Sequence, residues 1–82
     1  MTMSTKQVLS PLPGVFYRSS SPQEPPYKNA GDGVSVGDTI GLIEVMKSFH
    51  EVKADAAGTL SAFLVENEAQ IMAGQPLVEI ET

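Results

Sequence analysis

Apolar residues in this chain come in short runs, broken every eight or so positions by glycine, proline or a polar pair. "VLSPLPGVFYR" (8–18) places two such runs around Pro-Leu-Pro-Gly, the pattern of strand, turn, strand. "VSVGDTIGLIEV" (34–45) has strand pieces around a Gly37-Asp38 turn signal, and Ile40, Leu42, Ile43 and Val45 read as a buried strand. "SFHEVKA" (48–54) and "GTLSAFLV" (58–65) each read as one strand. "ENEAQIMAGQPLVEIE" (66–81) repeats strand, glycine turn, strand. The nearest approach to a helical period is "SAFLVENEAQIMA" (61–73), but its caps are poor and Gly58-Thr59 upstream favours a strand start. Between the first two hairpins lies "SSSPQEPPYKNAGDG" (19–33), whose three prolines cannot donate to a sheet and mark a loop. Residues 1–7 are polar and unpatterned, and predict a flexible N-terminal tail before a domain spanning 8–82.

The pattern is repeated within the chain. Residues 31–44 lie over 68–81 at an offset of 37, matching Val34 with Ile71, Gly37 with Gly74, Ile40 with Leu77 and Ile43 with Ile80. Residues 8–16 lie over 52–60 at an offset of 44, matching Val8 with Val52, Gly14 with Gly58 and Phe16 with Leu60. The two offsets differ by seven residues, so the first half carries a small insertion between Phe16 and Gly31. Two related halves of about four strands predict an all-β fold: a flattened barrel or sandwich of two four-stranded antiparallel sheets with pseudo-twofold symmetry. The first half ends at Met46-Lys47, where the chain reverses, so the symmetry puts Lys47 exposed at one tip.

Composition narrows what such a domain can do. With 82 residues the chain is one small domain, with room for a scaffold and little for a walled catalytic pocket. No apolar run is long enough to span a membrane, and the first residues lack the apolar core of a secretory signal. The absence of cysteine excludes disulfides and thiolate chemistry and fits a cytoplasmic location. A net charge of −5 without any basic run disfavours nucleic acid. It suits either steering toward basic protein faces or plain solubility. His50 is the single histidine and sits on a strand, with no nucleophile pattern around it for a triad and no second ligand for zinc. The carboxylates are scattered over strand ends and turns, and the glycines form no phosphate-binding loop before a helix. No self-contained active site is visible, and a catalytic residue and a metal site are expected to be absent.

What remains is the lysine at the hairpin. An exposed lysine is mostly protonated and a poor nucleophile unless another enzyme brings an activated acyl group to it. A rigid hairpin tip suits that role; an ordinary solvated turn lysine is the plain alternative. Met46 beside it is either exposed or folded back on the core.

"EVMKSFHEVKADAAGTL" (44–60) resembles the attachment sequence of biotinyl (biotin/lipoyl attachment) domains, in which a Met-Lys pair on a hairpin carries the prosthetic group. The likeness extends over residues 8–81, through "VLSPLPGVFYRSSSP", "VSVGDTIGLIEVMK" and "GQPLVEIE", and is greatest to the carboxyl carriers of bacterial acetyl-CoA carboxylase. It implies a non-catalytic carrier with biotin attached covalently to Lys47. A biotin ligase would load it, and it would shuttle an activated carboxyl group from biotin carboxylase to a carboxyltransferase. Val45 and Met46 match the family's residues before the lysine, whereas Ser48 stands where the family usually has Met. The resemblance also implies that the insertion is a thumb over about residues 18–27, with Ser19 to Pro22 nearest the biotin ring. Only about seven residues precede the barrel, which leaves an excised domain or a short stand-alone carrier, and the initial Met favours the second. Two alternatives stand beside this reading. Lipoyl carriers share the barrel but usually have Asp where Met46 stands, and lack the proline-rich thumb. A binding or assembly module would leave Lys47 unmodified.

Overall fold

The computed structural model describes residues 4–21 and 23–82; Met1 to Met3 of the expected tail and Pro22 of the expected thumb lie outside them. Eight strands follow in chain order: β1 (Thr5–Leu9), β2 (Gly14–Tyr17), β3 (Gly33–Val34), β4 (Thr39–Val45), β5 (Ser48–Lys53), β6 (Gly58–Phe63), β7 (Gln70–Ile71) and β8 (Pro76–Glu81). They form two four-stranded antiparallel sheets, ordered β1-β8-β6-β3 and β5-β4-β2-β7. Exchanging each strand with its counterpart in the other half (β1 with β5, β2 with β6, β3 with β7, β4 with β8) turns one order into the other. The predicted pseudo-twofold fold is therefore the observed one, and no helix occurs among the described residues.

Matched residues occupy matched places. Val8 and Val52, Phe16 and Leu60, Val34 and Ile71, Ile40 and Leu77, Ile43 and Ile80 all lie buried between the sheets. The turns repeat down to single hydrogen bonds. Asp38 N–H donates to Ser35 C=O and Gln75 N–H to Met72 C=O. The Asp38 carboxylate accepts from Ser35 N–H, and the Gln75 side-chain oxygen from Met72 N–H, both at 2.9 Å. Gly37 and Gly74 hold the left-handed residue of each turn, with φ of 93° and 83°.

One boundary departs from the hydrophobic pattern. Thr5, Lys6 and Gln7, which the sequence pattern assigns to the tail, belong to β1 and pair with Glu81, Ile80 and Glu79. Their side chains are exposed, so no apolar alternation announces them. What holds them is backbone hydrogen bonding to β8, closed beyond its end by Thr82 N–H donating to Ser4 C=O. The Ser4–Thr82 contact is the symmetry image of the Val45–Ser48 pair that closes the hairpin, so the termini lie where the second half would have its own lysine turn.

Candidate functional site

The hairpin between β4 and β5 has a loop of two residues, because Val45 pairs with Ser48 and only Met46 and Lys47 lie between. Both have positive φ, 49° and 67°, which is the primed turn whose twist matches the flanking strands. Such turns favour Asn-Gly, since other side chains in this region cost roughly 1–2 kcal/mol each. Here the sequence spends that energy on a methionine that is 93% exposed and on an exposed lysine. Met46 does not fold back on the core. Val45 does pack against it, and it anchors the tip to the central strand β4. Lys47 makes no ion pair among the described residues.

A cleft of about 440 Å³ opens on the outer face of the β5-β4-β2-β7 sheet, lined by Tyr17, Phe49, Ser19 to Ser21, Asn67 and Glu68. Phe49 is the second residue of β5, two positions after Lys47. The Tyr17 and Phe49 rings stand 6.2 Å apart at 54°. The Tyr17 hydroxyl donates to Glu44 Oε1 at 2.9 Å, and the carboxylate it faces raises the phenol above its ordinary value.

The far wall is the inserted segment. Tyr27 N–H donates to Arg18 C=O at 2.9 Å and closes the segment's base, and Glu24 N–H donates to Ser21 C=O at 3.1 Å near its end. Ser19 Oγ donates to Ser21 C=O at 2.9 Å. Arg18 fastens the base to the barrel: its N–H donates to Asn67 Oδ1 at 2.9 Å, and its guanidinium lies 4.0 Å over the Phe63 ring. Glu68 is the remaining non-glycine residue with positive φ (68°) among those described, so all three lie at the hairpin or the cleft. Strained backbone concentrates where function needs a particular geometry.

The internal repeat acts as a control on this face. Across the sheet, Val15, Glu44 and Phe49 form one row, and Tyr17, Leu42 and Glu51 the next. Their counterparts on the other sheet are Thr59, Glu81 and Thr5, then Ser61, Glu79 and Gln7. Core positions are apolar in both halves, as the fold requires. On the outer faces Val15, Tyr17, Leu42 and Phe49 are apolar in one sheet alone. A solvated sheet face has no need of them, so they mark a binding face.

Of the residues named from sequence, Lys47, Met46 and Ser48 are exposed at the tip, Val45 is half-buried beneath it, and Ser19 lines the cleft. His50 is exposed on β5, opposite Ile43. No group of three or more His, Asp or Glu side chains among the described residues is placed to hold a metal. Sequence reasoning missed Tyr17, Phe49, Asn67 and Glu68. For Tyr17 and Phe49 the signal was present, as apolar residues whose repeat partners are Ser61 and Thr5.

The family model for biotin-requiring enzymes matches residues 6–80. The biotin carboxyl carrier protein of acetyl-CoA carboxylase from Streptococcus pyogenes is 46% identical over 74 residues, covering 90% of this chain and 45% of that protein. The protein of the same name from Haemophilus influenzae is 37% identical over 79 residues, covering 96% of this chain and 51% of that one. The chain thus spans about half the length of these relatives. Among solved structures, the urea carboxylase of Kluyveromyces lactis superposes with a TM-score of 0.78 at 27% identity, over 94% of this chain and 6% of that one.

Proposed function

Because the chain belongs to the biotin-requiring enzyme family, we propose that it is a non-catalytic carboxyl carrier with biotin on Lys47. The observation that carries this is the Met46-Lys47 turn: two non-glycine residues held in a left-handed conformation, exposed, at the tip of a buried strand. The relatives named as carriers of acetyl-CoA carboxylase support that enzyme as the setting. They also favour biotin over a lipoyl group. We place the chain in the cytoplasm, beside a biotin ligase, a biotin carboxylase and a carboxyltransferase.

Lys47 supplies the nucleophile. Its ammonium gives up a proton in the ligase's site, and the Nζ lone pair attacks the activated carboxyl carbon presented there. An amide bond forms and the activating group leaves. Attached this way, biotin supplies a ureido ring that takes up a carboxyl group at one enzyme and gives it up at another. The chain's own contribution is position. β4 and β5 fix the base of the arm, and the tether keeps its end at high effective concentration near both partners. The residues present fit the group: Tyr17 and Phe49 offer an apolar floor, while Ser19, Ser20 and Asn67 offer hydrogen bonds to a ureido edge. A cleft of about 440 Å³ is of small-ligand size.

The test is intact mass after incubation with a biotin ligase, biotin and ATP, beside a Lys47→Arg variant. A single biotinyl increment in the wild type alone is expected. No increment, with the ligase active on another carrier, would sink the reading, and a lipoyl increment from lipoylating enzymes would transfer the chain to the lipoyl carriers.

A further inference from the structure

The internal repeat runs through the loops as well as the strands, and at one loop position the two halves differ in charge. Glu68 lies over Gly31 at the offset of 37. The backbone there is the same in both halves. Gly31 N–H donates to Leu60 C=O at 2.7 Å and Glu68 N–H to Phe16 C=O at 2.6 Å, and Leu60 and Phe16 are themselves matched. Both residues are left-handed, with φ of 97° and 68°. Glycine adopts that conformation freely and glutamate does not. The turn therefore gains nothing from a side chain at 68. What the side chain gains is a place: Glu68 lines the cleft beside Tyr17 and Phe49, whereas nothing lies within 4 Å of a Cβ built on Gly31.

Nothing in the cleft wall offsets that charge. Among the described residues no lysine or arginine lines the cleft. The Arg18 guanidinium is stacked on Phe63, at the base of the inserted segment. Lys47 loses its charge once its amine becomes an amide. On the same face Glu44 accepts from the Tyr17 hydroxyl at 2.9 Å, which commits that donor. The Tyr17 phenol is raised above its ordinary value first by that hydrogen bond and lastly by the charges of Glu44 and Glu68, so both carboxylates act on the cleft floor.

Resting on the carrier reading above, we infer that Glu68 makes the cleft selective for the charge state of the biotin ring: the cleft holds the uncarboxylated ring and rejects the carboxylated one. Before carboxylation the ureido ring is neutral and has an N–H donor on each nitrogen, which a carboxylate can accept. Carboxylation removes one of these donors. The nitrogen loses its proton and bonds the carboxyl carbon supplied by bicarbonate, with ATP consumed at the biotin carboxylase. The N–H is replaced by a negatively charged N-carboxylate, which faces the Glu68 carboxylate. Like charges in a partly desolvated cleft repel more strongly than in open water. The arm thus rests on its own domain while empty and swings free when charged, which is when it has a second enzyme to reach.

The experiment is amide NMR of the full chain in three forms: unloaded, biotinylated on Lys47, and biotinylated with a biotin carboxylase, ATP and isotope-labelled bicarbonate keeping the ring carboxylated. Glu68→Gln, which keeps the shape and removes the charge, is measured alongside, and thermal unfolding confirms that it is folded. Biotinylation is expected to shift the amides of Ser19 to Ser21, Asn67 and Phe49 in both proteins. On carboxylation the shift in the wild type is expected to fall about tenfold, toward the unloaded spectrum, while Glu68→Gln retains more than about a third of it. A wild-type shift that survives carboxylation overturns the inference. So does a Glu68→Gln chain that responds as the wild type does. Biotinylation that leaves the cleft amides unmoved overturns it too, with the carrier reading intact. A wild type that accepts no biotin overturns the carrier reading and the inference together.

Discussion

Replacing Met46 by Asn separates the needs of the fold from those of the function. Met46 is the first residue of a two-residue turn, with φ 49°. A generic side chain costs roughly 1–2 kcal/mol in that region, whereas Asn tolerates it and is the favoured residue at this position. Against that gain stands whatever burial the methionine contributes. Full burial of a Met side chain is worth about 1.5–3 kcal/mol. At 93% exposure the buried remainder is worth only about 0.1–0.2 kcal/mol. Met46→Asn should therefore stabilise the chain by about 0.5–1 kcal/mol. In a domain of this size that raises Tm by about 2–8 °C. Acylation of Lys47 should slow at the same time, because Met46 is the exposed side chain next to the reacting amine in the two-residue turn. Thermal unfolding followed by circular dichroism reads the first effect and mass-resolved loading the second. A lower Tm would mean that Met46 makes a stabilising contact and that the strain argument is wrong. A higher Tm with unchanged loading would mean that the methionine is not there for the modifying enzyme.

Gly41→Ala should cost about 1–3 kcal/mol in urea unfolding. Its Cβ would fall 2.6 Å from the buried Phe16 ring and 2.8 Å from Tyr17 C=O, and neither can give way freely. Phe16→Leu in the same chain should recover part of that loss, since the repeat sets Leu60 and Val78 at the positions of Phe16 and Gly41; costs that merely add would refute the account. Stability should also fall on acidification through the lower carboxylate range. Hydrogen bonding from Ser35 N–H and then Lys28 lowers Asp38, and hydrogen bonding from Thr39 with Lys53 nearby lowers Glu51. A carboxyl lowered in the folded state adds stability above its unfolded pKa and loses it as pH falls through the folded one. Asp38→Asn should accordingly flatten the decline in Tm between about pH 5 and 3, and an unaltered slope would show that this carboxylate contributes nothing.

Much of this molecule is written locally. Strand alternation, glycine turns and the two offsets of the repeat are properties of neighbouring residues, so they predict eight strands in two related sheets and a lysine at one tip. The exposed lysine at the tip was legible for the same reason: Val45, Met46 and Lys47 are consecutive, and the turn that presents Lys47 is only two residues long. Three things were decided by the tertiary structure. β1 begins at Thr5 because its backbone finds β8, some seventy residues away, with no side-chain pattern to announce it. The cleft exists because Arg18 stacks on Phe63 and bonds Asn67, which holds the inserted segment opposite Phe49; that proximity joins four separate stretches of chain. The left-handed turn at Met46 and Lys47 is contrary to their own preference, and the register of β4 against β5 imposes it. Periodicity carries what a residue shares with its neighbours in the chain, and packing between distant segments decides the rest.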